Sequence, residues 1–132
     1  MEGLRMKRPL TRTLLGLSGV ILFGLAVAIL FNPVDFFASS EIELSQSASL
    51  MSEIKAPAGL LLVSALILFA GAINTQLMPV ALWLNILVYG SYAVGRLISI
   101  TLDGLPDQSL LIATAIELAI ALLSAWVLPR LA

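Results

Sequence analysis

Residues 13–31 carry no charged side chain, and as a helix these 19 residues cross about 30 Å of hydrocarbon at about 1.5 Å each. Further apolar runs follow at about 53–73, 80–102 and 109–128. A chain with four such runs has little choice of fold. It reads as all-α, a four-pass transmembrane up-down helical bundle, with residues 1–132 forming a single integral membrane domain and an outer polar loop at 32–52. Composition agrees with this: 60% of the 132 residues are hydrophobic and 11% charged, where a soluble domain carries about 25% charged residues.

The residue types that are missing exclude several chemistries. With no cysteine and no histidine, disulfides, thiol redox catalysis, Cys/His zinc sites and His- or Cys-ligated haem are all out. No cofactor and no metal site is expected. The formal net charge of -1, with its few basic residues scattered, leaves no phosphate-tracking groove and no nucleic-acid partner.

The chain opens on a basic arm, with Arg5, Lys7, Arg8 and Arg12 against Glu2. A cleaved signal peptide is the competing reading of this start. The apolar run exceeds the usual 7–15-residue core of such peptides, and Phe36 stands where cleavage after Ala38 wants a small residue. Gly16, Gly19 and the pair Gly24 and Ala28 offer small surfaces for helix contact, or are ordinary membrane-helix residues. Asn32-Pro33 ends the first segment. In the serine-rich loop that follows, Ser40 and Glu43 have capping-box spacing and point to a short surface helix. At the second segment, Pro57 either frees the carbonyl of residue 53 inside a helix or sits harmlessly in a first turn. The stretch 74–79 is a tight turn, and Asp103-Gly104 with Pro106 marks another. Trp83 and Trp126 read as interface anchors. Five of the seven Lys and Arg residues fall in the N-terminal arm and the C-terminal tail, so the positive-inside rule puts both termini in the cytoplasm and the acidic 32–52 loop outside.

The third segment holds the pattern with chemical content. Asn85, Tyr89, Tyr92, Arg96, Ser99 and Asp103 recur three or four residues apart, which gathers them on one helical stripe. Such a stripe faces protein, a cavity or water rather than lipid. Folding the third and fourth segments about the 103–107 turn brings Arg96 level with Glu117, each about 9–12 Å below the outer helix ends. Folding back the second segment places Glu53 and Lys55 nearby. Arg96 is expected to bridge Glu117 and Glu53, with Asp103 and Lys55 nearer the surface. The cluster then either fixes helix register or meets the polar head of an amphiphile (a quinone, lipid or sterol-like molecule), with Tyr89 and Tyr92 along its body. Proton or ion movement through the carboxylates is a third reading. Glu53 and Glu117 could form an acid–base pair, but no nucleophile or metal set accompanies them, so an enzyme is not favoured.

Glu53-Ile54-Lys55, Gly95-Arg96, Ser99, Asp103-Gly104, Pro106 and Glu117-Leu118 together resemble a motif set of small four-helix bacterial membrane proteins of unassigned function, related to the DoxX-like group. The family pattern has an acidic then a basic residue opening the second helix, then G-R-x-x-S-x-x-x-D-G-x-P, then E-L. Lys55 stands where that pattern has arginine, and Ala58-Gly59 where it has Gly-Gly. The resemblance covers residues 53–118 and implies a four-helix fold without naming a substrate. The localisation implied is the bacterial inner membrane. The partners in view are the bilayer, a small amphiphile, and a membrane protein partner or second copy; a structural or accessory subunit of a larger membrane complex is the alternative function.

Overall fold

A computed structural model describes residues 2–131, with side chains described for residues 8–130. The elements are α1 (Glu2–Phe31), α2 (Pro33–Ala38), α3 (Ala48–Ile73), a 3-10 turn (Thr75–Leu77), α4 (Met78–Asp103) and α5 (Gln108–Leu131). No strand occurs among the described residues. The helical stretches Arg8–Phe31, Ala48–Ile73, Thr75–Asp103 and Gln108–Arg130 are long and apolar enough to cross a membrane. The fold is all-helical.

Three boundaries differ from the sequence reading, each for a local reason. α1 runs back through the basic arm to Glu2, because Glu, Leu, Arg, Met and Lys are good helix formers even where they are polar. The side chains of Arg5 and Lys7 lie outside the described ones. α3 starts at Ala48, where the Ser47 hydroxyl accepts from the Leu50 N–H at 3.2 Å and so caps one free donor. Pro57 therefore falls inside α3 and has no N–H to offer the Glu53 carbonyl. The short helix of the loop is Pro33–Ala38 rather than one starting at Ser40, since proline is preorganised for a first helical position. Glu41, at φ 61, then turns the chain so that the Ile42 N–H reaches the Phe37 carbonyl at 3.0 Å. This six-to-one bond around a left-handed residue is the usual way to close a helix and reverse the chain.

The long helices alternate in direction. α1 packs along α3 and α4 along α5, and the two hairpins join through α3–α4, α1–α5 and α1–α4, while the backbones of α3 and α5 stay apart among the described residues. The joint is tightest beside the 3-10 turn. A Cβ on Gly71 would lie 2.5 Å from the Ala81 Cβ and 3.3 Å from the Leu77 carbonyl oxygen, so only glycine lets α3 and α4 approach this closely. Gly19 also meets a neighbour, its Cβ position lying 2.7 Å from the Phe69 ring, whereas Gly16 and Gly24 face open space. Close contact on α1 thus belongs to Gly19 alone among the three glycines.

The polarity of the bundle is turned inward. Ala58, Leu61, Ala65 and Leu68 of α3 are buried at helical spacing, and so are Thr114, Glu117, Ser124 and Val127 of α5. Outward, Leu17, Leu60, Leu87 and Leu122 are each at least 60% exposed. Apolar flanks around a core holding Thr, Ser, Asn and Glu suit hydrocarbon rather than water as the surrounding medium.

Candidate functional site

Nearer the 3-10 turn than the 32–47 loop, one polar knot joins three helices. The Asn85 amide on α4 donates to the Ser18 hydroxyl on α1 at 3.1 Å and to the Ser124 hydroxyl on α5 at 3.2 Å. Ser18 passes its own proton back to the Leu14 carbonyl at 2.7 Å. One turn further along α4, the Tyr89 hydroxyl donates to the Ser18 carbonyl at 2.6 Å. Asn85, Ser18 and Ser124 are wholly buried, and the Asn85 Oδ1 has no partner among the described residues. In an apolar interior such bonds are specific, because a slipped register would leave several buried groups unpaired.

Beyond the knot, toward the 32–47 loop, the helices part around a cavity of about 600 Å³. Leu22, Leu61, Val88 and Tyr89 line its deep end, while Phe36, Phe37 and Ile42 of the reversed loop line it from the other side. The loop is tied to α5 by a hydrogen bond of 2.9 Å between the Ser40 and Ser109 hydroxyls. Asp107 positions that end of α5: its carboxylate accepts from the Ser109 N–H at 3.0 Å and from the Ser109 hydroxyl. These bonds favour the ionised form and hold the Asp107 carboxyl below its usual range.

The charged side chains lining the cavity are Arg96, Glu117 and Glu53. Arg96 Nε donates to both Glu117 oxygens at 3.0 Å, and the pair is part-buried, with side chains 30% and 11% exposed. The guanidinium also lies 5.9 Å from the centre of the Tyr92 ring. Its Nη1 and Nη2, the donors best suited to a planar oxyanion, have no partner among the described residues. Such a wall of apolar and aromatic groups with a few convergent polar ones is the usual make-up of a small-molecule site.

The structure divides the expected site residues. Tyr89, Tyr92, Arg96, Glu117 and Glu53 line the one cavity. The expected bridge from Arg96 to Glu53 does not form: among the described residues the ion pair of Arg96 is with Glu117, and Glu53 stands exposed on α3 across the cavity. Lys55, half-buried, does not line the cavity, because residues two apart on a helix point to different faces. The outer end of the stripe turns away. The Ser99 hydroxyl donates to the Asp103 carboxylate at 2.9 Å, and both residues are exposed. Ser99 lines a second, shallower groove with Ser91 and Gly95, to which Arg96 and Tyr92 also contribute. Arg96 thus stands in the wall between two hollows.

Sequence reasoning gave no site role to Ser18, Ser124 or Ser109, and gave Ser40 only that of a helix cap. Ser18 shares a helical face with Leu15 and Leu22, and Ser124 with Glu117 and Val127. Asking which small polar residues sit on a core-facing stripe would have found these two. Nothing local marks the contact between Ser40 and Ser109, which depends on how the loop folds back.

A family model described as a domain of unknown function (DUF4345) matches residues 10–128. No curated protein and no solved structure matches the chain.

Proposed function

We propose that this chain, which belongs to the DUF4345 family, is a multi-pass membrane protein that holds the polar head of an amphiphile in the cavity between its two hairpins. The observation that carries the reading is the half-used guanidinium. Arg96 spends Nε on Glu117 and keeps two terminal nitrogens free at the wall of a largely apolar cavity. If the pair served register alone, no such hollow would be needed around it. A lipid, quinone or sterol-like body would lie along Tyr89 and Tyr92 while its head accepts from Arg96. In the oriented form of the proposal both termini are cytoplasmic, and the cavity opens in the outer half of a bacterial inner membrane. That orientation rests on the distribution of Lys and Arg, and kinship with the DoxX-like group rests on the motif set around Arg96.

A second reading, an accessory subunit of a larger membrane assembly, draws on a different observation. Ser91, Gly95 and Ser99 form an exposed strip of small residues on α4, four apart, of the kind that lets membrane helices approach closely. Native mass spectrometry of the protein in mild detergent, wild type beside Arg96→Ala, separates the two. A small-molecule adduct on the wild type alone supports the pocket and gives the ligand class by mass. A bare chain, or one carrying another polypeptide, overturns the pocket in favour of the subunit reading.

A further inference from the structure

Two groups of opposite charge face the cavity with hydrogen-bonding capacity unused, although Arg96 is already ion-paired through its Nε with Glu117. The Nη1 and Nη2 fork of Arg96 has no partner among the described residues, and neither has the carboxylate of Glu53, although both line the same space. Lys55 does not line it and lies on another face of α3. A purely anionic head would satisfy Arg96 while facing Glu53, like charge against like. A neutral head would offer no opposite charge to the Arg96 fork or to the exposed Glu53 carboxylate.

We infer that the cavity takes a zwitterionic amphiphile, one whose head joins an oxyanion to a primary ammonium, as a phosphoethanolamine lipid does. The order of groups fits. Glu53 lies five residues in from the start of α3 and Arg96 seven residues short of the end of α4, so Glu53 sits roughly 3 Å nearer the loop end. From the deep end outward the protein thus presents apolar wall, the Glu117–Arg96 pair with its open cationic fork, and the Glu53 anion. A lipid with its tail against Leu22, Leu61 and Tyr89 presents tail, phosphate and ammonium in the same direction. The result is an alternating chain of Glu117 carboxylate, Arg96 guanidinium, phosphate, ammonium and Glu53 carboxylate, in which each ion touches only opposite charges. The fork suits two phosphate oxygens, and a primary ammonium has N–H donors for Glu53 where a quaternary one has none.

The inference rests on the pocket reading, so the test keeps the two apart. The delipidated full chain in detergent is titrated with dioleoyl phosphatidylethanolamine, phosphatidylglycerol, phosphatidylcholine and dioleoylglycerol, and adducts are counted by native mass spectrometry. Wild type, Glu53→Gln, Arg96→Gln and Ala113→Phe are compared, the last placing a ring in the cavity wall. Phosphatidylethanolamine is expected to bind one per chain and about tenfold more tightly than the others. Glu53→Gln, at an exposed position, should bring it down to the phosphatidylglycerol level without weakening phosphatidylglycerol. Phosphatidylglycerol or dioleoylglycerol binding as well as phosphatidylethanolamine, or a preference indifferent to Glu53→Gln, overturns the zwitterion. If Ala113→Phe still excludes the lipid in that case, the pocket stands. Adducts unmoved by both Ala113→Phe and Arg96→Gln overturn the pocket and the zwitterion together.

Discussion

Removing Arg96 should expose how much the ion pair contributes, and the structure sets the size of the effect. Glu117 is nine residues into α5, roughly 13 Å from the helix start at about 1.5 Å per residue and so close to the middle of a hydrocarbon layer about 30 Å thick. Its side chain is 11% exposed. A lone charge at mid-depth costs about 2.5–3.5 kcal/mol on insertion scales; the cavity beside Glu117 gives water some access, so Arg96→Ala should destabilise by about 2 kcal/mol. Glu117→Gln alone should cost less, about 1 kcal/mol, because arginine's long stem can carry its charge toward water. The double variant has no stranded charge and loses only packing and hydrogen bonds, again about 1 kcal/mol. The single losses thus sum to about 3 kcal/mol against about 1 for the pair, a coupling of about 2 kcal/mol. The assay is reversible unfolding by SDS titration in mixed micelles, followed by far-UV circular dichroism, on all four proteins of the cycle. Losses that add to within about 0.5 kcal/mol would refute direct pairing between Arg96 and Glu117.

Gly71→Ala should destabilise the bundle by about 1–3 kcal/mol in the same assay, since its new methyl meets a rigid one on Ala81 at 2.5 Å. Gly16→Ala, which faces open space, should be neutral or gain up to about 1 kcal/mol of helix propensity; equal losses at both sites would contradict the packing described. The depressed pKa of Asp107 gives it a stabilising role that is complete above the ordinary aspartate value of 3.8 and is lost as pH falls through the lower folded value. Stability measured from pH 6 down to pH 2 should therefore decline less steeply in Asp107→Asn, and an unchanged slope would remove the cap from the account. For orientation, a reporter fused after Ala132 should be active in the cytoplasm; activity confined to the far side would sink the oriented form of the proposal.

Helix number and the turns between helices were legible in the sequence because they depend on local properties. An apolar run of about 20 residues has to satisfy its backbone internally, and Asn32-Pro33 and Asp103-Gly104 stop helices through their own dihedral limits. The stripe on α4 was legible for the same reason, since helical spacing alone gathers Asn85, Tyr89, Tyr92 and Arg96. Helix ends were read less well. α1 and α3 extend into polar sequence, where hydropathy falls silent and the Ser47 cap or intrinsic propensity takes over.

Tertiary structure alone decided which of these side chains meet. Ser18 reaches Asn85 across 67 residues and Ser124 reaches it across 39, distances over which no periodicity carries information. Depth arithmetic brought Arg96 and Glu117 level and put Glu53 a turn nearer the outside, still within expected reach of Arg96, because depth says nothing about which way around a helix a residue points or how far apart two helices stand. The cavity settles that difference. It keeps α3 away from α5 and leaves Glu53 facing Arg96 across open space, so that one carboxylate is bonded and the other is free. Helices are specified by neighbours in sequence, whereas a hollow between helices is specified by where side chains fail to fill space, which only the packed chain determines.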